Sequence, residues 1–356
     1  MRTKFIPLVI LSLGAFSLMT LMSVSPELMQ RQMIFWFLSL LTFFGISKTP
    51  IYVWWTWGVY FWKGLVFVLT GLLIFGQVTR GASAWIDLGG GLKFQPSQFA
   101  LLAFLLVTLP SFSRFKMLKE SELVKLLLYL LVPSILIFLQ PDFGTAFLYT
   151  IAASTILFWQ KIPKRYWNFF IIFLIGVITA GWLFILQPYQ KLRITSFFTG
   201  YQFEQTAASY NARQSLIAVG SGQIWGKGLG KGTQSHLRFL PERQTDFIFA
   251  SLAEESGLVG SLIVISLYGS LFFFLLKEVN RLKKNDLSLF ILSVLVYFFV
   301  QVMVNIGMNM GLLPITGVTL PFISYGGSSL LSSMVLFGII QRILLENPVK
   351  THLRIT

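Results

Sequence analysis

Apolar residues run along this chain in long blocks, set apart by short charged or turn-forming clusters, and no long polar region interrupts them. A hydrocarbon core about 30 Å thick needs ~20 apolar residues per helix. Blocks of that size predict ten membrane-spanning helices, at 5–24, 31–47, 59–77, 97–113, 123–139, 143–159, 166–186, 247–276, 287–310 and 325–344. The first, Phe5 to Val24, is not followed by a small-residue cleavage site and is expected to remain as an uncleaved helix. The predicted fold is all-α: one polytopic membrane domain over 1–356, with a long connection at 187–245. Within that connection Tyr201 to Val219 has helical spacing, and a glycine-rich stretch follows.

Composition agrees with this pattern. Apolar residues make up 55% of the chain and charged residues 12%, against roughly 25% charged in soluble domains. A formal charge of +15 would suggest nucleic acid in a soluble protein. Here cationic loops beside anionic lipid account for it, and no nucleic-acid partner is expected. With the N-terminus in the cytoplasm, the inside segments hold 17 basic residues and the short outer loops only Arg31, Arg80 and Lys93. That asymmetry predicts both termini inside and the long connection outside. Lys63 is expected about one turn into the third span, behind an interfacial belt of Trp54, Trp55 and Trp57, where its stem can snorkel. The chain has no cysteine, which excludes disulfides and thiolate metal sites. His236 and His352 are its only histidines, too few for a histidine metal site, and no hydrolase triad is evident.

Four outer segments could carry chemistry. Gly226 to Ser235 holds four glycines with Lys227 and Lys231, then Thr233 and Gln234. Glycines let backbone N–H groups approach an anion. Neither Gly-Lys pair is followed by Ser or Thr, so this is not a nucleotide loop. It reads as a cradle for a phosphate or diphosphate, or equally as a flexible turn with solvated lysines. Next come Arg238, Glu242, Arg243 and Asp246, just before the eighth span. Asp246 can be a helix N-cap or a general base. On a continuous helix Glu254 would lie about 80° around from it and ~12 Å deeper, with Glu255 on the opposite face. The third segment is the turn Gln140-Pro141-Asp142, where Asp142 can cap the sixth span. The fourth runs from Pro314 through Ser324, Tyr325 and Gly326 to Ser329. Prolines and glycines at this depth imply broken backbone, which is tolerated only against protein or a wet cavity.

These stretches together resemble the SEDS family (shape, elongation, division, sporulation), its RodA branch most closely. The likeness rests on Trp85-Ile86 with Phe94-Gln95-Pro96-Ser97, on Gln140 to Ala146, on Arg193-Ile194, on Gly226 to Ser235 with Phe239-Leu240-Pro241-Glu242, on Thr245 to Ala250 and on Asn305 to Ser329. It implies ten spans in the bacterial cytoplasmic membrane, with the site outside, and polymerisation of lipid II into peptidoglycan glycan strands during elongation. It places the family's essential aspartate on Asp246. It implies a class B penicillin-binding protein and other elongation proteins as partners. It also implies a polyprenyl-diphosphate substrate, and admits a divalent cation, Mg2+ or Mn2+, with no organic cofactor. Arg193, Lys227, Lys231, Arg238 and Arg243 are then candidates for the leaving diphosphate. Thr233, Gln234, Glu242, Ser324, Tyr325 and Gly326 are candidates for the substrate, with Gln95, Ser97, Asp142 and Glu254 secondary.

The chain departs from the family where Glu and Lys usually follow Gln-Pro-Ser: here Gln98 and Leu101 stand there. Ser83 and Ala84 occupy the region before Trp85 where relatives carry a basic residue. Two rival readings are a lipid II flippase and a non-catalytic scaffold for the penicillin-binding protein. Few polar groups line the middles of the spans, which weighs against the first.

Overall fold

The computed structural model describes residues 2–79, 82–90, 92–112, 120–159, 188–199, 207–282 and 286–347, with isolated positions between 168 and 186. Helices dominate. They are α1 (Arg2–Val24), α2 (Pro26–Lys48), α3 (Ile51–Phe75), α4 (Ala100–Phe112), α5 (Glu120–Leu139) and α6 (Phe143–Trp159). After them come α7 (Pro188–Thr199), α8 (Ala207–Ser221), α9 (Ile248–Arg281), α10 (Asp286–Asn309) and α11 (Gly327–Glu346). Six of these, α1, α3, α5, α9, α10 and α11, are long and apolar enough to cross a membrane, and Pro96–Ser111 and Phe143–Phe158 are shorter apolar helices. The fold is thus polytopic and helical. The expected span at 166–186 falls mostly outside the described residues.

Of the six long helices α10 and α11 are the most enclosed, and α3 turns most of its surface outward. Phe298 stacks on Phe322, and Phe337 packs against both, in the shared core of α10, α11 and the segment between them. One end of the bundle is tied by charge. Arg2 pairs with Glu278, whose Oε2 also accepts from Arg281 Nε at 2.8 Å. Gln341 Nε2 donates to the Thr3 carbonyl at 2.7 Å. The chain start and the ends of α9 and α11 therefore meet at one end, and Asp246, just before α9, lies toward the other.

Four features depart from the sequence reading. First, α3 begins at Ile51, directly after extended Pro50 (φ −60, ψ 143). Trp54, Trp55 and Trp57 are inside its first two turns, and Lys63 sits about three turns in, on an exposed face. Second, the all-α chain also carries a three-stranded antiparallel sheet, β1 (Gln77–Thr79), β2 (Ala82–Asp87) and β3 (Lys93–Phe94), with Asp87 opposite Lys93. Such short strands leave little periodicity to read. Third, α7 and α8 occupy the long connection, so it is largely helical in its first half. Tyr201 falls outside the described residues, and the helix found there starts at Ala207.

The fourth departure shapes the site. α9 is broken at Gly257 (φ 66, ψ −162), a conformation essentially confined to glycine. The glycine stretch fills the break. Leu258 N donates to Gln223 O at 2.9 Å and Val259 N to Ile224 O at 3.2 Å. In return Lys227 N and Gly228 N donate to the carbonyls of Glu254 and Glu255, each at 3.0 Å. A Cβ at Gly226 or at Gly257 would collide with the other strand of this crossing. The half-helix 248–256 is buried along most of its length, and α9 becomes widely exposed only beyond the break.

Candidate active site

A cavity of about 1000 Å³ opens among α2, the small sheet, the α5–α6 turn and the irregular segment between α10 and α11. Its wall includes Asp246, Glu242, Gln244 and Thr245 from the turn before α9, and Asp142 from the α5–α6 turn. Arg31 comes from α2, and Trp85, Lys93, Gln95 and Gln98 from the sheet and the turn after it. Residues 313–319 and 325–329 complete it, so the broken backbone expected there does line a cavity.

Asp246 is not the helix cap. α9 starts at Ile248 with Phe247 at its N-cap position, and its first turn is capped from α10, where Asn309 Oδ1 accepts from Ala250 N at 3.0 Å. Asp246 instead lies near the end of a run of turns, 241–247, in which Thr245 N and Phe247 N both donate to Glu242 O. Four main-chain carbonyls of this run are held from outside it. Asn305 Nδ2 and Asn309 Nδ2 both donate to Asp246 O at 3.0 Å. Ser324 Oγ donates to Thr245 O at 2.7 Å, Tyr325 N to Gln244 O at 2.9 Å, and Ser251 Oγ to Arg243 O at 3.3 Å. Both asparagines are fully buried. These contacts hold the backbone of the turn, and the Asp246 carboxylate lies on the cavity wall with Oδ2 beside the Gly317 backbone.

Glu242 holds a left-handed conformation (φ 50) in the same turn, and its Oε2 accepts from Thr245 Oγ1 at 3.0 Å. Non-glycine residues adopt this region only when the surroundings enforce it. Ser324 is a brace behind the wall, whereas Tyr325 and Gly326 reach the cavity.

Asp142 does two things at once. Its Oδ1 accepts from Thr145 N at 3.2 Å, capping α6, and its Oδ2 accepts from Gln95 Nε2 at 2.7 Å and more distantly from Ser97 Oγ. Burial raises its pKa above the ordinary 3.8, with the bonds from Thr145, Gln95 and Ser97 working in the other direction. A raised carboxyl pKa stabilises the fold below the unfolded pKa, and that contribution is lost as pH rises through the folded value. Asp142→Asn carries no charge and retains a capping oxygen. Its unfolding temperature relative to wild type should therefore improve as pH is raised from about 4 toward neutrality. Paired melts of the two proteins across that range check this.

The glycine stretch is a cradle, but its anion is the protein's own. The Glu254 side chain is fully buried. Its Oε1 accepts from Lys227 Nζ and Gln234 N, each at 2.9 Å, and from Thr233 Oγ1 at 3.2 Å. Its Oε2 accepts from Ser235 N at 2.9 Å and Ser235 Oγ at 2.7 Å. Lys227, Thr233 and Gln234 are thus turned toward Glu254, and none of the four lines the cavity. The helical-wheel relation between Asp246 and Glu254 fails because Asp246 precedes the helix.

Arg243 is likewise engaged elsewhere: its Nε and Nη2 donate to Val24 O at the end of α1. Burial, then the nearby Arg238, lowers its pKa. Lys231 and Arg238 are exposed and away from the cavity wall. Arg193 falls on α7, and its side chain lies outside what the structure describes. Among the described residues the cations on the cavity wall are Arg31 and Lys93. In the sequence they served only to orient the chain; nothing local marks two residues so far apart as neighbours. Leu101 is buried in the core, one turn beyond Gln98.

Comparisons with known proteins agree with one another. The chain is 35% identical over 342 residues to the peptidoglycan glycosyltransferase MrdB of Escherichia coli, covering 94% of this chain and 91% of that protein. The fold matches a chain of a peptidoglycan synthase complex that coordinates polymerisation and crosslinking, at a TM-score of 0.77 and 26% identity, covering 94% and 95% of the two chains. It also matches the rod shape determining protein RodA of Thermus thermophilus at a TM-score of 0.70 and 25% identity, covering 94% of each. Residues 3–348 match the model of the cell cycle protein family of FtsW, RodA and SpoVE, and the chain belongs to this family, the SEDS proteins.

Proposed function

We propose that this chain is a peptidoglycan glycosyltransferase that polymerises lipid II into glycan strands at the outer face of the bacterial cytoplasmic membrane, in cell elongation and rod-shape maintenance. The observation that carries the reading is the Asp246 carboxylate, set on the wall of a large cavity by a backbone braced through Asn305, Asn309, Ser324 and Tyr325. The names of the relatives support it. Both termini are then cytoplasmic, with the charge-tied end of the bundle inside.

Asp246 acts as general base. It takes the proton of the acceptor sugar hydroxyl as that oxygen bonds to the anomeric carbon of the growing chain. The bond from that carbon to the polyprenyl diphosphate breaks, and the diphosphate leaves with the electron pair. Arg31 and Lys93 stabilise the charge that develops there. Among the described residues no group of three or more metal-ligating side chains forms. A small divalent cation held by one or two carboxylates plus substrate phosphate oxygens still fits this wall. Asp246 is the residue that would hold Mg2+ or Mn2+, which would supply further neutralisation of the diphosphate.

The partner that fits is a class B penicillin-binding protein, in keeping with the peptidoglycan synthase complex whose chain this one resembles. The deciding assay is lipid II polymerisation by the purified protein together with that partner, for wild type and Asp246→Asn. Glycan strands from wild type alone support the reading. Lipid movement without polymer makes the protein a flippase, and neither activity makes it a scaffold. In the same assay Arg31→Ala and Lys93→Ala should each slow polymerisation up to about a hundredfold, toward the low end for loss of a transition-state donor because the two share the load.

A further inference from the structure

We propose that Gln98 is a substrate-binding residue that presents its side-chain carbonyl oxygen to a hydroxyl or acetamido N–H of the sugar in the cavity; this rests on the glycosyltransferase reading above. The backbone first brings two glutamines together. Pro96–Phe99 is a turn of 3-10 helix, and Gln98 N donates to Gln95 O at 3.3 Å. Gln95 is the extended N-cap of this turn, and its side chain meets that of Gln98, one turn on. Gln95 N donates to Ser328 Oγ at 2.9 Å, which pins the turn to the start of α11.

The polarity of the pair then follows from Asp142. The Asp142 oxygens act as acceptors, taking Thr145 N–H and Ser97 Oγ–H. Gln95 must therefore turn its amide nitrogen to Asp142, where Nε2 lies 2.7 Å from Oδ2. Its carbonyl oxygen is left facing Gln98, and it accepts from Gln98 Nε2 at 3.1 Å. The amide of Gln98 is thereby oriented in turn, and this residue of the cavity wall keeps its carbonyl oxygen, beside the second N–H of Nε2, for a ligand. A carbonyl repels a diphosphate and recognises a donor. The sugar's hydroxyls and amide N–H groups are the donors this substrate has. Arg31 and Lys93 stand on the same wall for its phosphates.

The test is steady-state polymerisation by the full chain with its penicillin-binding partner, for wild type, Gln98→Leu, Gln98→Met, Asp142→Asn and the Gln98→Leu/Asp142→Asn double variant. Gln98→Leu and Gln98→Met should each raise KM for lipid II about three- to tenfold, the worth of one neutral hydrogen bond, with kcat within about twofold. In the Asp142→Asn background, where the relay has lost its fixed direction, the KM effect of Gln98→Leu should shrink. An unchanged KM in both single variants overturns the proposal, as does a fall in kcat at constant KM. A KM effect of equal size in both backgrounds overturns the relay. Asp246→Asn run alongside separates this from the function itself: full activity there sinks the glycosyltransferase assignment of Asp246, whatever Gln98 does.

Discussion

Asp246→Asn should reduce polymerisation by about a hundred- to ten-thousandfold, the range for loss of a positioned general base, while the protein folds as before. The second half of this expectation comes from the bracing. The contacts that fix the turn use the backbone carbonyls of residues 243–246. Asparagine leaves all of these in place and nearly preserves side-chain shape. Polymer yield and thermal unfolding should be measured on the same preparation. A variant that melts like wild type and makes no strands assigns the chemistry to the carboxylate. A variant that polymerises normally moves the base to Glu242 or Asp142, the other carboxylates on the cavity wall among the described residues. Glu254, caged behind that wall, is not among the replacements.

Glu254→Ala should be the most destabilising of the single substitutions considered, by about 3–5 kcal/mol, the usual cost of removing one partner from a buried ion pair. The loss is concentrated. Two backbone N–H groups, two hydroxyls and the Lys227 ammonium all converge on one fully buried carboxylate. Lys227 keeps partial access to solvent, which softens the penalty on its side. Glu254→Gln keeps an acceptor and should lose less. Unfolding followed in detergent or nanodiscs should show a fall of several degrees for alanine and a smaller one for glutamine. Polymerisation per folded molecule should survive in both. If Glu254→Gln instead abolishes activity at an unchanged melting temperature, the cage is not merely structural.

Much of the fold was legible because the signal is large: blocks of apolar residues of membrane length announce helices wherever they occur. The segment around Asp246 and the broken backbone from Pro314 to Ser329 were legible too, since turn residues beside a span have few other uses. What stayed hidden was set by tertiary contact. A single glycine such as Gly257, between Glu254-Glu255-Ser256 and an apolar run, does not declare a break, because membrane helices tolerate glycine. Without the break, Glu254 looked like an intramembrane carboxylate of unknown purpose, and Lys227 looked like a free cation. Each is explained only by the other. Arg31 and Lys93 carry no local mark of function, and the strand that presents Lys93 is too short to show alternation.

The crossing at Gly257 also bears on what can be exchanged between relatives. The span draws hydrogen-bond partners from Gln223 and Ile224, and the loop draws its own from Glu254 and Glu255. Residues 222–235 and 248–259 therefore form one module, though they sit on opposite sides of the turn that carries Asp246. A chimera joined between Ser235 and Asp246 would separate a carboxylate from its cage and a bent backbone from the strand that fits it. Grafts that move both pieces together should be accepted far more readily than either alone, and natural recombination within such genes would be expected to spare the interval between them.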